Sequence, residues 1–198
     1  MDRFARAAEE LLEDRPFEEI SVQDIVRWAG RPIGSFYARF KSKDALLPFL
    51  YQRYDESLAA VFAVKLARPV WPALGFVPTL EAIVDVLLGL LDERRWLIRA
   101  LALFTRLRPD ALPADVIPRR KQLYDGMVDI LLRHEAQIRH EDPAAAIRFG
   151  IFMFESAARE KLLFGGAPHA RATPIGRKAL RSELVRAFHG YLTCEVPR

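Results

Sequence analysis

Residues 21–46 read SVQDIVRWAGRPIGSFYARFKSKDAL, and this stretch decides how the N-terminal part of the chain folds. Ser21, followed three residues later by an aspartate, forms a capping-box pattern that predicts the start of a helix. Gly30 ends that helix after about two turns, because glycine readily adopts the left-handed conformation found after a helix C-terminus. Pro32 is tolerated in the first turn of a helix, so we expect the next helix to run from there to about Arg39. The stretch therefore predicts two short helices joined by a tight turn.

Charge changes sign along this part of the chain. Residues 1–26 contain three arginines and eight acidic residues, a net charge of −5, whereas residues 27–43 contain five basic residues and no acid, a net charge of +5. The whole chain of 198 residues carries only +4. A local cluster of cations is typical of a surface that neutralises phosphates, although an ordinary solvated basic face would look the same.

The rest of the chain is also predicted to be helical. Apolar residues recur with helical spacing from Phe4 to Leu12, and Pro16 prevents that first helix from continuing. A fourth helix is expected from Lys43 to about Lys65, with a kink or a locally lost hydrogen bond near Asp44 caused by Pro48. Five further helices are expected at about residues 79–91, 94–107, 115–138, 142–164 and 179–191. Thr79 can cap the first of these, and Asp142 starts the fourth, which is apolar enough to be buried on two sides. In the third helix of the chain, Phe36 and Phe40 are interpreted as core residues. Nine helices without a convincing strand predict an all-α protein.

Several classes of protein do not fit this sequence. No apolar run reaches the roughly 18 residues that a membrane span needs, and the N-terminus does not read as a signal peptide, so we expect a cytoplasmic protein. Cys194 is the single cysteine, and the four histidines lack ligand spacing, so we expect no disulfide, no metal site and no other cofactor. Neither a Ser-His-Asp arrangement nor a phosphate-binding glycine loop is found, so an enzyme is the weaker hypothesis.

Two short helices with basic residues around the second are what a DNA-binding protein needs. The major groove admits one helix, and cations beside it hold the phosphates. Because other small helical bundles contain a similar turn, a bundle that does not bind DNA stays open on this evidence.

The sequence from Ala29 to Leu46 resembles the signature of the TetR family of transcriptional regulators. That signature reads roughly AG, then VxxGxxYxxF, then xSKExL, and it fits here without gaps. With the preceding helix, the resemblance covers about residues 3–50. It implies an N-terminal three-helix helix-turn-helix domain over residues 1–46 and a C-terminal helical ligand-binding and dimerisation domain over residues 47–198. It also implies a basic arm before the first helix, so a shortened N-terminus is an open alternative here.

The resemblance also implies which residues contact DNA. Base edges would be met by Ile33, Gly34 and Ser35, and phosphates by Tyr37 and Lys43. A serine hydroxyl can donate or accept at a base edge, and an isoleucine can touch a thymine methyl group. Weaker candidates for backbone contact are Ser21, Arg39 and Lys41.

Three positions depart from the family pattern. Arg31 replaces a residue that is usually apolar, Pro32 replaces the usual polar N-cap, and Ile33 replaces a frequent Lys, Arg or Gln. We therefore expect an unusual operator, and a small-molecule-binding helical dimer that has lost sequence-specific DNA binding is the alternative.

A regulator of this kind is expected to have two further partners. The last two helices of TetR-like proteins pair with those of a second copy, and the apolar stretch from Ala144 to Ala158 suits such a homodimer on a palindromic operator. A small apolar or amphipathic ligand would release a repressor from the DNA. Its candidate lining residues, for which plain core packing is the alternative, are Trp96, Phe104, Tyr124, Met127, Phe149 and Phe152.

Overall fold

The computed structural model describes residues 2–67, 70–112 and 114–195, which form ten α-helices and five short 3-10 turns without a strand. The helices are α1 (Asp2–Asp14), α2 (Val22–Trp28), α3 (Ile33–Tyr37), α4 (Leu47–Leu66), α5 (Phe76–Glu93), α6 (Arg95–Leu107), α7 (Val116–Leu132), α8 (Pro143–Leu163), α9 (Pro168–Ala172) and α10 (Arg177–Thr193). The all-α prediction is confirmed. The helix beyond the nine expected is α9, five residues long, which lies in a stretch predicted to be a loop. Met1, part of the expected arm, lies outside the described residues.

The helices pack as two compact units. Unit 1 contains Met1–Leu58 and Glu93–Val116, and unit 2 contains Ala59–Asp92 and Ile117–Arg198. These units are defined by packing. The predicted boundary at residue 46 instead separates a DNA-binding domain from a ligand-binding and dimerisation domain, and it stays a prediction. No helix in the described part of the chain is long and apolar enough to cross a membrane.

The core of unit 1 is built around aromatic rings from α1 and α3. Phe36 and Phe40, predicted as core residues, are both buried, and their ring centroids lie 5.2 Å apart. Phe4 of α1 meets Phe36 edge-on at 5.4 Å, so these rings hold the third helix against the first. Gly30 has a φ of +60°, in the left-handed region expected after α2. The turn between α2 and α3 is therefore formed as the sequence predicts.

Both prolines near this region lie elsewhere in their helices than predicted. Pro32 is the N-cap residue of α3, because its extended backbone precedes the helix, which then covers only Ile33–Tyr37. The fourth helix was expected to begin at Lys43, with a kink or a locally lost hydrogen bond near Asp44. The chain makes a 3-10 turn over Asp44–Leu46, in which the Asp44 carbonyl accepts from the Leu47 N–H. The α-helical bond from residue 48 to Asp44 is therefore replaced, and α4 begins at Leu47, later than predicted, with Pro48 in its first turn.

Two other predicted helix ends also need correction. Thr79 was expected to cap a helix, but α5 already begins at Phe76, and the Thr79 hydroxyl donates to the Gly75 carbonyl at 2.9 Å inside the first turn. The helix expected to reach residue 138 ends at Leu132, after which the chain makes a 3-10 turn over Glu135–Gln137. By contrast, Asp142 caps α8 as predicted, since its carboxylate accepts from the Ala145 N–H at 2.9 Å.

In unit 2, α8 packs closely against α10. The closest approach is at Gly150, where an added Cβ would stand 2.1 Å from Cε2 of Phe188. The opposite face of α8 is exposed in the single chain. It carries Phe149 and Phe152, which are 49% and 60% exposed, so α8 is not buried on two sides within one chain.

Candidate nucleic-acid interface

The first helix of the pair is held by a complete capping box. The Ser21 hydroxyl accepts from the Asp24 N–H at 3.1 Å and donates to Asp24 Oδ2 at 2.7 Å, while the Ser21 N–H donates to the same carboxylate at 2.9 Å. The Ser21 N–H and then its hydroxyl hold the pKa of Asp24 below its ordinary value. The predicted contact of Ser21 with the DNA backbone stays a prediction, but the Ser21 O–H already has an acceptor.

The second helix, α3, turns one face inward and the other outward. Phe36 is fully buried, whereas Ile33 is 44% and Tyr37 53% exposed. Gly34 is exposed as well, and a Cβ added there would meet nothing within 4 Å. Ile33, Gly34 and Tyr37 therefore share an accessible surface, while Ser35 is half-buried and its hydroxyl donates to the Pro32 carbonyl at 2.7 Å.

Lys43 has a structural role that sequence reasoning missed. Its ammonium donates to the carbonyls of Phe17 at 2.7 Å and Ile20 at 2.9 Å, and it lies 4.4 Å from the centroid of the Phe17 ring. These contacts close the 3-10 turn Phe17–Glu19 just before α2. A lysine has three N–H donors, so one is left for the predicted phosphate contact, which stays a prediction.

The other cations around α3 are more accessible. Among the described residues, the exposed side chains of Arg31 and Lys41 have no hydrogen-bond or ion-pair partner. Arg39 is also exposed, with one terminal nitrogen donating to the Ser35 carbonyl at 3.2 Å. Arg27 lies 4.0 Å from Asp24 but is mostly exposed. Arg27 and Arg31 belong to the basic stretch 27–43 but were not among the DNA contacts that the family resemblance implies.

A helix-turn-helix with this surface matches a known family. Residues 5–48 match the family model for bacterial regulatory proteins of the tetR family. This helix-turn-helix segment is therefore similar to the regulatory proteins that the family model describes.

Solved structures of TetR-family regulators share the fold of this chain. One from Streptomyces coelicolor has a TM-score of 0.61 and 20% identity, covering 96% of this chain and 78% of its own. PfmR from Thermus thermophilus has a TM-score of 0.56 and 19% identity, covering 100% of both chains. GusR from Salmonella enterica has a TM-score of 0.52 and 18% identity, covering 98% of this chain and 95% of its own. The comparison with curated proteins finds no match.

The six predicted ligand-binding residues are divided between the two units. Two of them, Trp96 and Phe104, belong to α6 of unit 1, and the other four belong to α7 and α8 of unit 2. Phe104 is buried, and Trp96 is half-buried with an indole N–H that has no acceptor among the described atoms. A cleft of about 210 Å³ in unit 1 is lined by residues of α1 and by Glu93, Arg94 and Leu97, none of which is in the predicted set.

The four residues in unit 2 also differ in their surroundings. Met127 is fully buried, as in ordinary core packing, whereas Phe149 and Phe152 are exposed. The Tyr124 hydroxyl donates to Glu155 at 2.6 Å, and burial together with that carboxylate raises the pKa of Tyr124. The ligand-binding assignment stays a prediction. The described residues contain no cluster of three or more His, Cys, Asp or Glu that could hold a metal ion.

Proposed function

We propose that this chain is a TetR-family repressor that binds a palindromic operator as a homodimer and is released by a small apolar or amphipathic molecule. The observation that carries the proposal is the exposed face of α3, flanked by cations. Ile33, Gly34 and Ser35 meet base edges, and Tyr37, with Arg39, Lys41 and the third N–H of Lys43, contacts phosphates.

The exposed aromatic face of α8 supports the homodimer. Phe149 and Phe152 have ring centroids 6.2 Å apart, and Tyr191 of α10 lies 5.6 Å from Phe149. Two exposed phenylalanines beside a tyrosine are typical of a protein interface, where aromatic residues contribute much of the binding energy. A second copy covering this face gives one recognition helix per half-site, which is what a palindrome requires.

Release by a ligand is proposed to act through α4. This helix is continuous from Leu47 to Leu66, with its first part in unit 1 and its last part in unit 2. Suppose that α4 has two positions and that a molecule binds the C-terminal helices more tightly when α4 is in one of them. Binding would then increase the fraction of chains with α4 in that position. Because the coupling is reciprocal, operator DNA must weaken binding of the same molecule by the same factor.

The first experiment is selection of bound duplexes from a random pool, followed by titration of the enriched site against scrambled DNA at near-physiological salt. We expect a palindrome bound at least about a thousandfold more tightly than scrambled DNA, with two chains per site. Tyr37→Ala should weaken binding to both DNAs, whereas Val64→Ala, at an exposed position of α4 in unit 2, should change neither. Equal affinity for all sequences would instead support a helical dimer without specific DNA recognition.

A further inference from the structure

The first turn of α3 offers almost no side-chain hydrogen-bond donor to a base. Ser35 has a single O–H, and it is directed to the Pro32 carbonyl at 2.7 Å, so only acceptor lone pairs remain on that oxygen. Pro32 has no N–H, and Gly34 has no side chain. The largest side chain on the first turn of this helix is therefore the exposed, apolar one of Ile33.

Such a surface can distinguish base pairs in only a few ways. Bidentate recognition of guanine or adenine in the major groove needs the donors of Arg, Lys, Asn or Gln, and positions 33–35 hold none of these. The apolar group that the major groove presents is the thymine 5-methyl group. We propose that Ile33 packs on a thymine methyl group in each half-site and is the residue that determines specificity at that base pair. This inference rests on the proposed function and names the base that it reads.

Arg31 is the competing reader. Its exposed guanidinium has no partner among the described residues, and arginine bound to guanine is the commonest specific contact in the major groove. We place Arg31 on a phosphate, because it lies in the turn before α3 rather than on the helix. The two assignments require different bases, so they can be separated by experiment.

The test replaces thymine by uracil at each position of the enriched site. Uracil lacks only the 5-methyl group, so the hydrogen-bonding pattern of the pair is unchanged. One buried methyl group corresponds to about a fourfold change in affinity, and replacement in both half-sites to about 14-fold. We expect this loss at one symmetry-related pair of thymines for the natural chain.

Two variants assign the loss to a residue. Ile33→Ala should bind the thymine and uracil sites equally, and it should fold normally, because Ile33 is outside the core and alanine favours helix. Ile117→Ala is the matched control, since Ile117 is also an exposed isoleucine but belongs to unit 2, and it should keep the full difference. Circular dichroism and melting curves verify that each variant is folded.

Each outcome has one meaning. No effect of uracil at any position, in a site that is clearly enriched, would overturn the inference and leave the proposed function intact. If the uracil effect persists in Ile33→Ala, the methyl group contacts another residue and the inference is wrong. If Arg31→Ala abolishes the uracil effect, the inference is wrong as well. If no site is enriched at all, the proposed function itself fails, and the inference fails with it.

Discussion

Replacing Lys43 by methionine tests whether this residue mainly holds the protein fold or the DNA. Methionine keeps a long, apolar side chain against the Phe17 ring but removes the ammonium that donates to the carbonyls of Phe17 and Ile20. Those carbonyls lie at the two ends of the 3-10 turn before α2, so loss of their shared charged donor should destabilise the entry into the helix-turn-helix. We expect a variant that is folded but less stable.

The size of the effect follows from the two hydrogen bonds. A hydrogen bond with a charged donor is worth about 1.5–3 kcal/mol when buried, and because Lys43 is only half-buried we expect about 2 kcal/mol for the pair. In a chain of this size, that loss lowers the melting temperature by about 4–8 °C. Thermal melting at one fixed protein concentration measures it, since the stability of a dimer depends on concentration.

Lys41→Met is the matched control, because Lys41 is exposed and has no partner among the described residues. It should melt like the natural chain and should reduce the salt dependence of operator binding by about one ion, as expected for a phosphate contact. The structural role would be refuted if Lys43→Met also melted normally and only the salt dependence changed. Lys43 would then be a phosphate contact alone.

Three further predictions concern unit 2. Gly150→Ala should lower the free energy of unfolding by about 1–3 kcal/mol in urea titration, because the new methyl carbon would overlap a phenylalanine ring of α10. Phe152→Glu should convert the proposed dimer to a monomer in sedimentation velocity, because dimerisation would bury an unpaired charge. Asp85 is paired with Arg181 at 2.8 Å, and the hydrogen bond from Arg181 lowers the pKa of Asp85. Asp85→Asn should therefore lower the free energy of unfolding by under about 1 kcal/mol above pH 5. This difference should shrink as the pH falls below about 3.9, the ordinary pKa of an aspartate, and vanish below the lowered pKa that Asp85 has in the folded protein.

Each of these has its own control. Gly89→Ala in α5 has open space around the added carbon and should gain up to about 1 kcal/mol, so equal behaviour of the two glycine variants would contradict the close approach of α8 and α10. A Phe152→Glu chain that stays dimeric would place the interface elsewhere. A difference between the natural chain and Asp85→Asn that persists at pH 2 would mean that the variant acts through packing rather than charge.

Local features were predictable because their partners are close in sequence. The capping box joins Ser21 and Asp24, three residues apart, and the cap of α8 joins Asp142 and Ala145 at the same spacing. The positive φ of Gly30 follows from its own lack of a side chain. Helical spacing of apolar residues was equally informative, since it identified the buried rings of α3. The all-α class and the helix-turn-helix motif depend only on such short-range rules.

Other features depend on groups that are distant in sequence or absent from the single chain. The acceptors of Lys43 lie 26 and 23 residues before it, so its charge was expected to be free for DNA. An apolar stretch such as α8 reads the same whether its own chain or a second copy covers it. The sequence by itself therefore determined the all-α class, the caps of α2 and α8, and the similarity of the helix-turn-helix to the family model. The tertiary structure alone decided which polar groups are already satisfied and which apolar faces stay exposed, because both depend on long-range contacts.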